Sequence, residues 1–202
     1  CSNKDAYLDN FGEYEDWIEL YNTGTATIDL SGYFLSDKRG NRAKWAFPAG
    51  TSINAGAHLR VFASSLDLNT PPLHTNFKIT QMKQEYIILS RSGDTTMLDS
   101  VKIDVPIQKN HSYGRSTDGA TDWKIFTSPS PNSSNNNATA YDAYASRPVF
   151  GPSPGFYTNN VSLSMNASTA GLSIRYTTDG SEPNASSTLY SSPVSISTTT
   201  LV

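Results

Sequence analysis

Apolar and polar residues alternate with a period of two along much of this chain. Between Asp16 and Asp37, Ile18 and Leu20 alternate with Glu19 and Tyr21, Ile28 and Leu30 alternate with Asp29 and Ser31, and Asn22-Thr23-Gly24-Thr25 interrupts the pattern. That period belongs to half-buried antiparallel strands, and it predicts two adjacent strands with a short polar loop between them. Ile18 and Leu20 then face one side and Trp17, Glu19 and Tyr21 the other, so a slip of one residue would expose the whole apolar set and the register is well specified. Downstream, Lys44 to Pro48 reads as a short strand closed by proline, and His58 to Ala63 as a strand with Leu59 and Val61 turned inward. Glu85 to Ser90 is the most apolar strand, with Ile87 and Leu89 in the core, and the turn Arg91-Ser92-Gly93-Asp94 leads back into a hairpin partner ending at Val101. The expected shared core is Ile18, Leu20, Leu30, Leu35, Leu59, Val61, Ile87 and Leu89. Strands at this spacing, each bounded by turn residues, predict an all-β chain of the sandwich type.

The alternation lapses over residues 134–147, which read as a linker between a domain at 1–133 and a second at 148–202. In the second, Val161, Leu163 and Met165 alternate along a strand, and Asp179-Gly180 marks a hairpin, since this dipeptide tolerates the positive φ that tight hairpin turns require. Hydrophobic residues make up 37% of the chain and charged residues 16%, with Ser, Thr, Asn, Gly and Pro abundant, which favours sandwiches with polar turns over helical bundles. A net charge of −3 without any Lys/Arg run argues against nucleic acid as a partner, because phosphate neutralisation needs clustered cations. No run approaches the roughly 18 apolar residues of a membrane-spanning helix.

The ordered pieces EDWIELYN, DLSGYFLSD, FPAGTSINAGAHLRVFAS, LHTNFKI, EYIILSRSGDTTMLDSV, HSYGRSTDG and DWKIFTSPSPNSSN resemble a bacterial lamin-tail domain over about residues 2 to 133. The segment SIRYTTDGSEPNASSTLYSSPVSISTTT resembles the small β-sandwich at the C-terminal end of chitobiases and of many secreted bacterial proteins. The first resemblance implies an immunoglobulin-like β-sandwich without a catalytic centre, and the second a smaller accessory β-sandwich. In that second family a strand and a closing strand normally follow the SISTTT segment, so the module is expected to be incomplete here and to continue past Val202. The two modules occur together in bacterial proteins carrying a spore-coat-H-like kinase domain, and such a domain is expected downstream. Members of the first family normally open with a strand ahead of the SN-containing loop, where this sequence has only Cys1.

Cys1 admits three readings: an ordinary residue where a longer chain is cut, a lipid-modified N-terminus, or a catalytic thiol. The first is preferred over lipid anchoring, and the thiol lacks neighbouring partners. A single cysteine excludes an internal disulfide framework. Asp5, Asp9, Glu13, Glu15 and Asp16 gather oxygen donors near the start, but their spacing matches no fixed Ca²⁺ loop and reads as a solvated acidic loop. His58, His74 and His111 lie in separate turn-like regions and suggest surface or hydrogen-bonded roles, with His58 at the surface. No nucleophile elbow, metal-binding helix motif or phosphate-cradling loop occurs. No catalytic, cofactor-binding or metal-ligating residue is therefore assigned, and no cofactor is expected.

The expected function is that of non-catalytic adhesion, spacer or interaction modules in a larger secreted or cell-envelope bacterial protein, with a protein or a cell-surface glycan as partner. A pair of carbohydrate-binding modules is the alternative; the accessory region of a larger kinase or glycosidase is the third reading. For the carbohydrate alternative Trp17 and Trp123 read as packing residues, leaving Trp45, Tyr7 and Tyr14 as candidate ligand-binding aromatics.

Overall fold

A computed structural model describes residues 2–80 and 85–202, and among these there is no helix. The chain divides between Ala143 and Tyr144 into two compact units. The first contains β1 (Trp17–Tyr21), β2 (Ile28–Asp29), β3 (Phe34–Ser36), β4 (Trp45–Ala46), β5 (Ser52–Ile53), β6 (His58–Phe62), β7 (Leu73–His74), β8 (Tyr86–Ser90), β9 (Met97–Lys102), β10 (Ser112–Arg115), β11 (Trp123–Phe126) and β12 (Ala140–Tyr141). They form sheets in the orders β1-β6-β7, β2-β5, β4-β3-β8-β9 and β10-β11-β12.

The two strands expected between Asp16 and Asp37 exist, but they do not pair with each other. β1 pairs antiparallel with β6, setting Ile18 opposite Val61 and Leu20 opposite Leu59, while β2 pairs with β5. Asn22 redirects the chain between them: its buried side-chain amide donates to the carbonyls of Ala26 (2.8 Å) and Ile53 (2.9 Å), holding the loop across to β5. The turn after β8 does close a hairpin, β8 with β9, as the sequence predicts.

Ile18, Leu30, Leu35 and Val61 are buried in one apolar cluster with Trp45, Phe47 and Phe77, and Leu20, Leu59, Ile87 and Leu89 pack against it half-buried. The fully buried side chains of β8 are instead Ile88 and Ser90, on its opposite face. That face has a cover of its own. Ser36, opposite Ile88, donates through its hydroxyl to the carbonyls of Lys38 and Asn41, and the loop so held brings Arg39 4.8 Å from the Tyr86 ring centre. The second face of β1 and β6 is covered in the same way by residues 2–16, with Tyr7 edge-on to Trp17 (5.3 Å) and Phe11 against His74 (5.7 Å). Asn3, fully buried, organises this loop by accepting from the amides of Ala6 and Tyr7 and donating to the carbonyls of Tyr7 and Glu15.

The stretch 134–147, expected to be a linker, belongs to the first unit as far as Ala143. Ala140 and Tyr141 pair with Phe126 and Ile125, the Asn135 amide N–H donates to Asp118 (3.0 Å) and Asn136 accepts from the Asp118 amide (2.9 Å). These anchors are polar side chains and backbone, which carry no hydrophobic period.

The second unit contains β13 (Val149–Gly151), β14 (Val161–Asn166), β15 (Arg175–Tyr176), β16 (Thr188–Leu189) and β17 (Val194–Ile196), in sheets β13-β14-β17 and β15-β16. Leu163 and Met165 are its buried hydrophobic side chains, facing Val194 and Phe150 across the ladder. Asp179-Gly180 does not form a two-residue turn. It lies within the longer connection from β15 to β16, where the Asp179 carboxylate accepts from the amide and hydroxyl of Ser181 and Asp179 bridges in parallel to Leu201.

Candidate functional site

β1 is the outer strand of its sheet and β10 the outer strand of another, and the two are not hydrogen-bonded to each other. The bonds from the Ala63 amide to the Asp16 carbonyl and from the Asn22 amide to the Ala57 carbonyl fix the phase of the β1–β6 ladder. Because direction alternates along an antiparallel strand, the backbone groups of Ile18 and Leu20 point to β6 and those of Glu19 and Tyr21 point away. On β10, the bond from the Ser116 amide to the Asp122 carbonyl fixes the phase in the same way, so Gly114 faces β11 and the backbone of Tyr113 faces outward. Residues from both strands line a half-open cavity of about 570 Å³, with Leu20, Leu35 and Leu89 on its apolar wall and Glu19, His58, Arg115 and Asp118 among its polar residues.

The charged side chains here are held by one another and by backbone. His58, expected at the surface, is largely buried with its Nε2 3.6 Å from Asp118 and its ring 4.7 Å from that of Tyr21. Sequence places it beside a turn, but register sets it opposite Tyr21 on the covered face. Burial pushes the Asp118 carboxyl up, yet hydrogen bonds from Ser134 and Asn135 and the neighbouring His58 outweigh it and hold the group below its usual range. Glu19 goes the other way. Burial raises its carboxyl above the ordinary value, against the opposing effects of the Asn132 amide and the charges of His58 and Arg60. Arg115 grips both oxygens of Asp99 (2.7 and 2.8 Å), donates to the Ala120 carbonyl and lies 4.9 Å from the Trp123 ring centre. These groups can recognise and orient a ligand; none is paired as nucleophile with base.

Of the three candidate aromatics, Trp45 is only 2% exposed, packed edge-on against Phe47 at 4.9 Å, and has no face to offer a sugar ring. Its place in β4 opposite Leu35 turns it into the core. Tyr7 is half-buried and donates from its hydroxyl to the Pro129 carbonyl (2.8 Å), while Tyr14 is exposed. Trp17 is buried and Trp123 half-buried, both as packing residues. Cys1 lies outside the described residues. The acidic segment is not uniformly solvated: Asp16 is buried, its carboxyl raised by desolvation although it accepts from the Asn3 amide (2.8 Å), and Glu15 pairs with Lys78 (2.9 Å). Among the described residues no three His, Cys, Asp or Glu side chains gather as metal ligands.

Sequence reasoning missed two arrangements. His74 is fully buried between Phe62 and Phe11, its Nδ1 2.8 Å from the Ser64 hydroxyl and its Nε2 2.8 Å from Asn10 Oδ1, and burial keeps its pKa below the ordinary imidazole value. No local pattern signals a contact between residues so far apart. In the second unit, Phe156 is fully exposed and Tyr157 half-exposed on a Pro/Gly-rich turn, where the Tyr157 hydroxyl donates to the Ser153 carbonyl. That turn reads in sequence only as a Pro/Gly-rich entry.

Two protein families match the sequence, the Chitobiase/beta-hexosaminidase C-terminal domain over residues 152–202 and the Lamin Tail Domain over residues 2–114. No curated protein and no solved structure matches it. Both families are of the accessory, generally non-catalytic kind, and the immunoglobulin-like sandwich of the first unit is that of the longer match. The chain belongs to the lamin tail domain family, with a chitobiase-type C-terminal module as its second unit.

Proposed function

We propose that the chain is a pair of non-catalytic interaction modules from a secreted or cell-envelope bacterial protein, attaching or presenting a larger assembly. The observation that carries this is the state of the groove in the first unit. Four of its charged groups are engaged in fixed pairs, His58 with Asp118 and Arg115 with Asp99, and Glu19 accepts from the Asn132 amide, an arrangement suited to recognition. The partner is a protein or glycan of the cell surface. Retention of the purified chain on bacterial cells or isolated envelopes, saturable and without turnover of glycoside, ester or peptide substrates, is the expected result. Turnover that co-purifies with the chain and disappears on its unfolding would make it an enzyme instead.

Carbohydrate binding is kept as a second reading because Phe156 and Tyr157 offer aromatic surface to solvent in a way that Trp45 does not. Titration with chitin oligosaccharides, comparing the chain with its Phe156→Ala variant, separates the readings: affinity tighter than about millimolar that is lost in the variant supports the glycan.

A further inference from the structure

We propose that the turn joining β3 to β4 is a docking site for an anionic polysaccharide, whose charged groups are received by Lys38, Arg39 and Arg42. This deepens the reading of the chain as an interaction module and rests on it.

The first observation is charge. The chain carries a net charge of −3, yet residues 38–42 hold three cations and no acid. All three side chains are exposed, and among the described residues none has a carboxylate partner. Other cations of the first unit are held, Lys78 by Glu15, Lys109 by Asp5, Arg115 by Asp99 and Lys124 by Asp142. Asp37, the acid that opens the turn, is buried and gripped on both oxygens by Lys44 (2.6 and 2.8 Å), so it does not offset its neighbours. Beside the turn, Glu85 accepts from the Thr80 amide (2.6 Å) and Asp104 faces Lys102 (3.7 Å). Surfaces shaped for solubility alone intersperse the two signs, and this turn does not.

The second is presentation. The hydroxyl of Ser36, wholly inaccessible, accepts from the Lys38 amide (2.9 Å) and donates to the Asn41 carbonyl (2.6 Å), and the Asn41 amide donates to the Lys38 carbonyl (3.1 Å). The turn is thus held in one shape. Arg39 lies over the Tyr86 ring, and its N–H donors have no acceptor among the described residues. A guanidinium packed in this way has already given up part of its rotamer freedom and can grip an oxyanion through two N–H groups. Pre-organisation lowers the ordering cost that leaves most exposed ion pairs nearly neutral.

The third is what separates the cations. Gly40, Asn41 and Ala43 offer no aromatic face for a nucleic-acid base and no large apolar group to enter a bilayer, and the neighbouring Tyr86 ring is occupied by Arg39. A polysaccharide with anions repeated along its length needs neither. Three cations on one turn can meet successive groups of the same polymer, so each contact after the first is intramolecular.

The test is titration calorimetry of the full chain with dextran sulfate, polygalacturonate and neutral dextran, the two charged polymers telling sulfate from carboxylate. Saturable binding of at least one charged polymer, falling as salt rises, and none of dextran is expected. Lys38→Gln/Arg39→Gln/Arg42→Gln should weaken it about tenfold or more, and Lys4→Gln/Arg91→Gln/Arg147→Gln, which removes the same charge at other exposed positions, less than about twofold. Lys38→Gln/Arg42→Gln, which keeps Arg39 on Tyr86, should melt like the parent and show an intermediate loss. Equal loss in the control triple variant would mean attraction by net charge without a site and would overturn the proposal. So would the absence of saturable binding up to millimolar sugar units, or tighter binding of phosphatidylglycerol vesicles or a single-stranded oligonucleotide. Failure of the polymer arms with envelope retention intact removes this turn alone, whereas loss of envelope retention with polymer binding intact removes the broader functional reading alone.

Discussion

Three polar side chains, Asn3 and His74 buried and Glu19 half-buried, hold this protein's loops, and each makes a distinct prediction. Asn3 serves four backbone groups from one fully buried amide. Asn3→Ala strands those groups without a partner, so a loss of about 2–3 kcal/mol is expected in denaturant titration, against the few tenths usual for a surface change; a loss below about 0.5 kcal/mol would show that water replaces the amide. His74 and Glu19 govern opposite pH trends. His74 has a depressed folded pKa, so the unfolded chain binds the extra proton first and stability falls as pH drops below the unfolded value of 6.5. Glu19 has a raised folded pKa, so the native state binds the extra proton and stability falls as pH rises above the unfolded value of 4.5. Glu19→Gln should accordingly be at least as stable as the parent near pH 7, with the difference shrinking below about pH 4.5, where both side chains are neutral. An advantage that grows on acidification contradicts this sign.

Among the elements, the period-two pattern located strands better than it paired them. Ile18, Leu20, Leu59 and Val61 share a face because alternation is a local property of each strand, and the β8–β9 hairpin is legible because a Gly-containing turn joins two apolar runs. The β1–β6 pairing is not, since it depends on Asn22 sending the chain across to β5. On β8 Ile87 and Leu89 do face the core cluster as the alternation predicts, but Ile88 on the other face is more buried than either, which alternation alone does not signal. Of the candidate site, Glu19 and Arg115 appear in sequence only as ordinary strand residues, and it takes register to bring β1 and β10 to one cavity. Ile88→Ala, at a fully buried position, should cost about 2–5 kcal/mol in equilibrium unfolding, well above the cost of Leu98→Ala on the exposed surface of β9. In the second unit, Gly180 holds a φ of +79° with Leu201 Cδ2 2.8 Å from where a Cβ would stand. Gly180→Ala therefore combines backbone strain with a clash and should destabilise that unit by about 1 kcal/mol or more, read from amide exchange in β14; unchanged exchange would mean that the loop and Leu201 rearrange freely.

At the scale of the molecule the two units differ in how much they bury. The first has a multi-strand core with Leu35, Val61, Ile88 and Ile125 wholly inaccessible, whereas the second buries Leu163 and Met165 and leaves Val149, Phe156, Leu189 and Leu201 exposed. With less apolar area removed from water per ordered residue, the second unit is the less stable. Hydrogen exchange should show amides of Leu163 and Met165 opening roughly tenfold or more faster than those of Leu35 and Ile88. The bonds that close the first unit have a temporal consequence. Lys4 and Asp5 are held by Asn110, 106 and 105 residues further along, and a ribosome releases the N-terminal end first. At ordinary elongation speeds of about 5–20 residues per second, roughly 5–20 s pass before those contacts can form. During that interval the N-terminal loop, already translated, lacks the clasp that Asn110 later supplies, and a nascent chain stalled before Asn110 presents the Lys4 and Asp5 amides to solvent or to a protease without that partner.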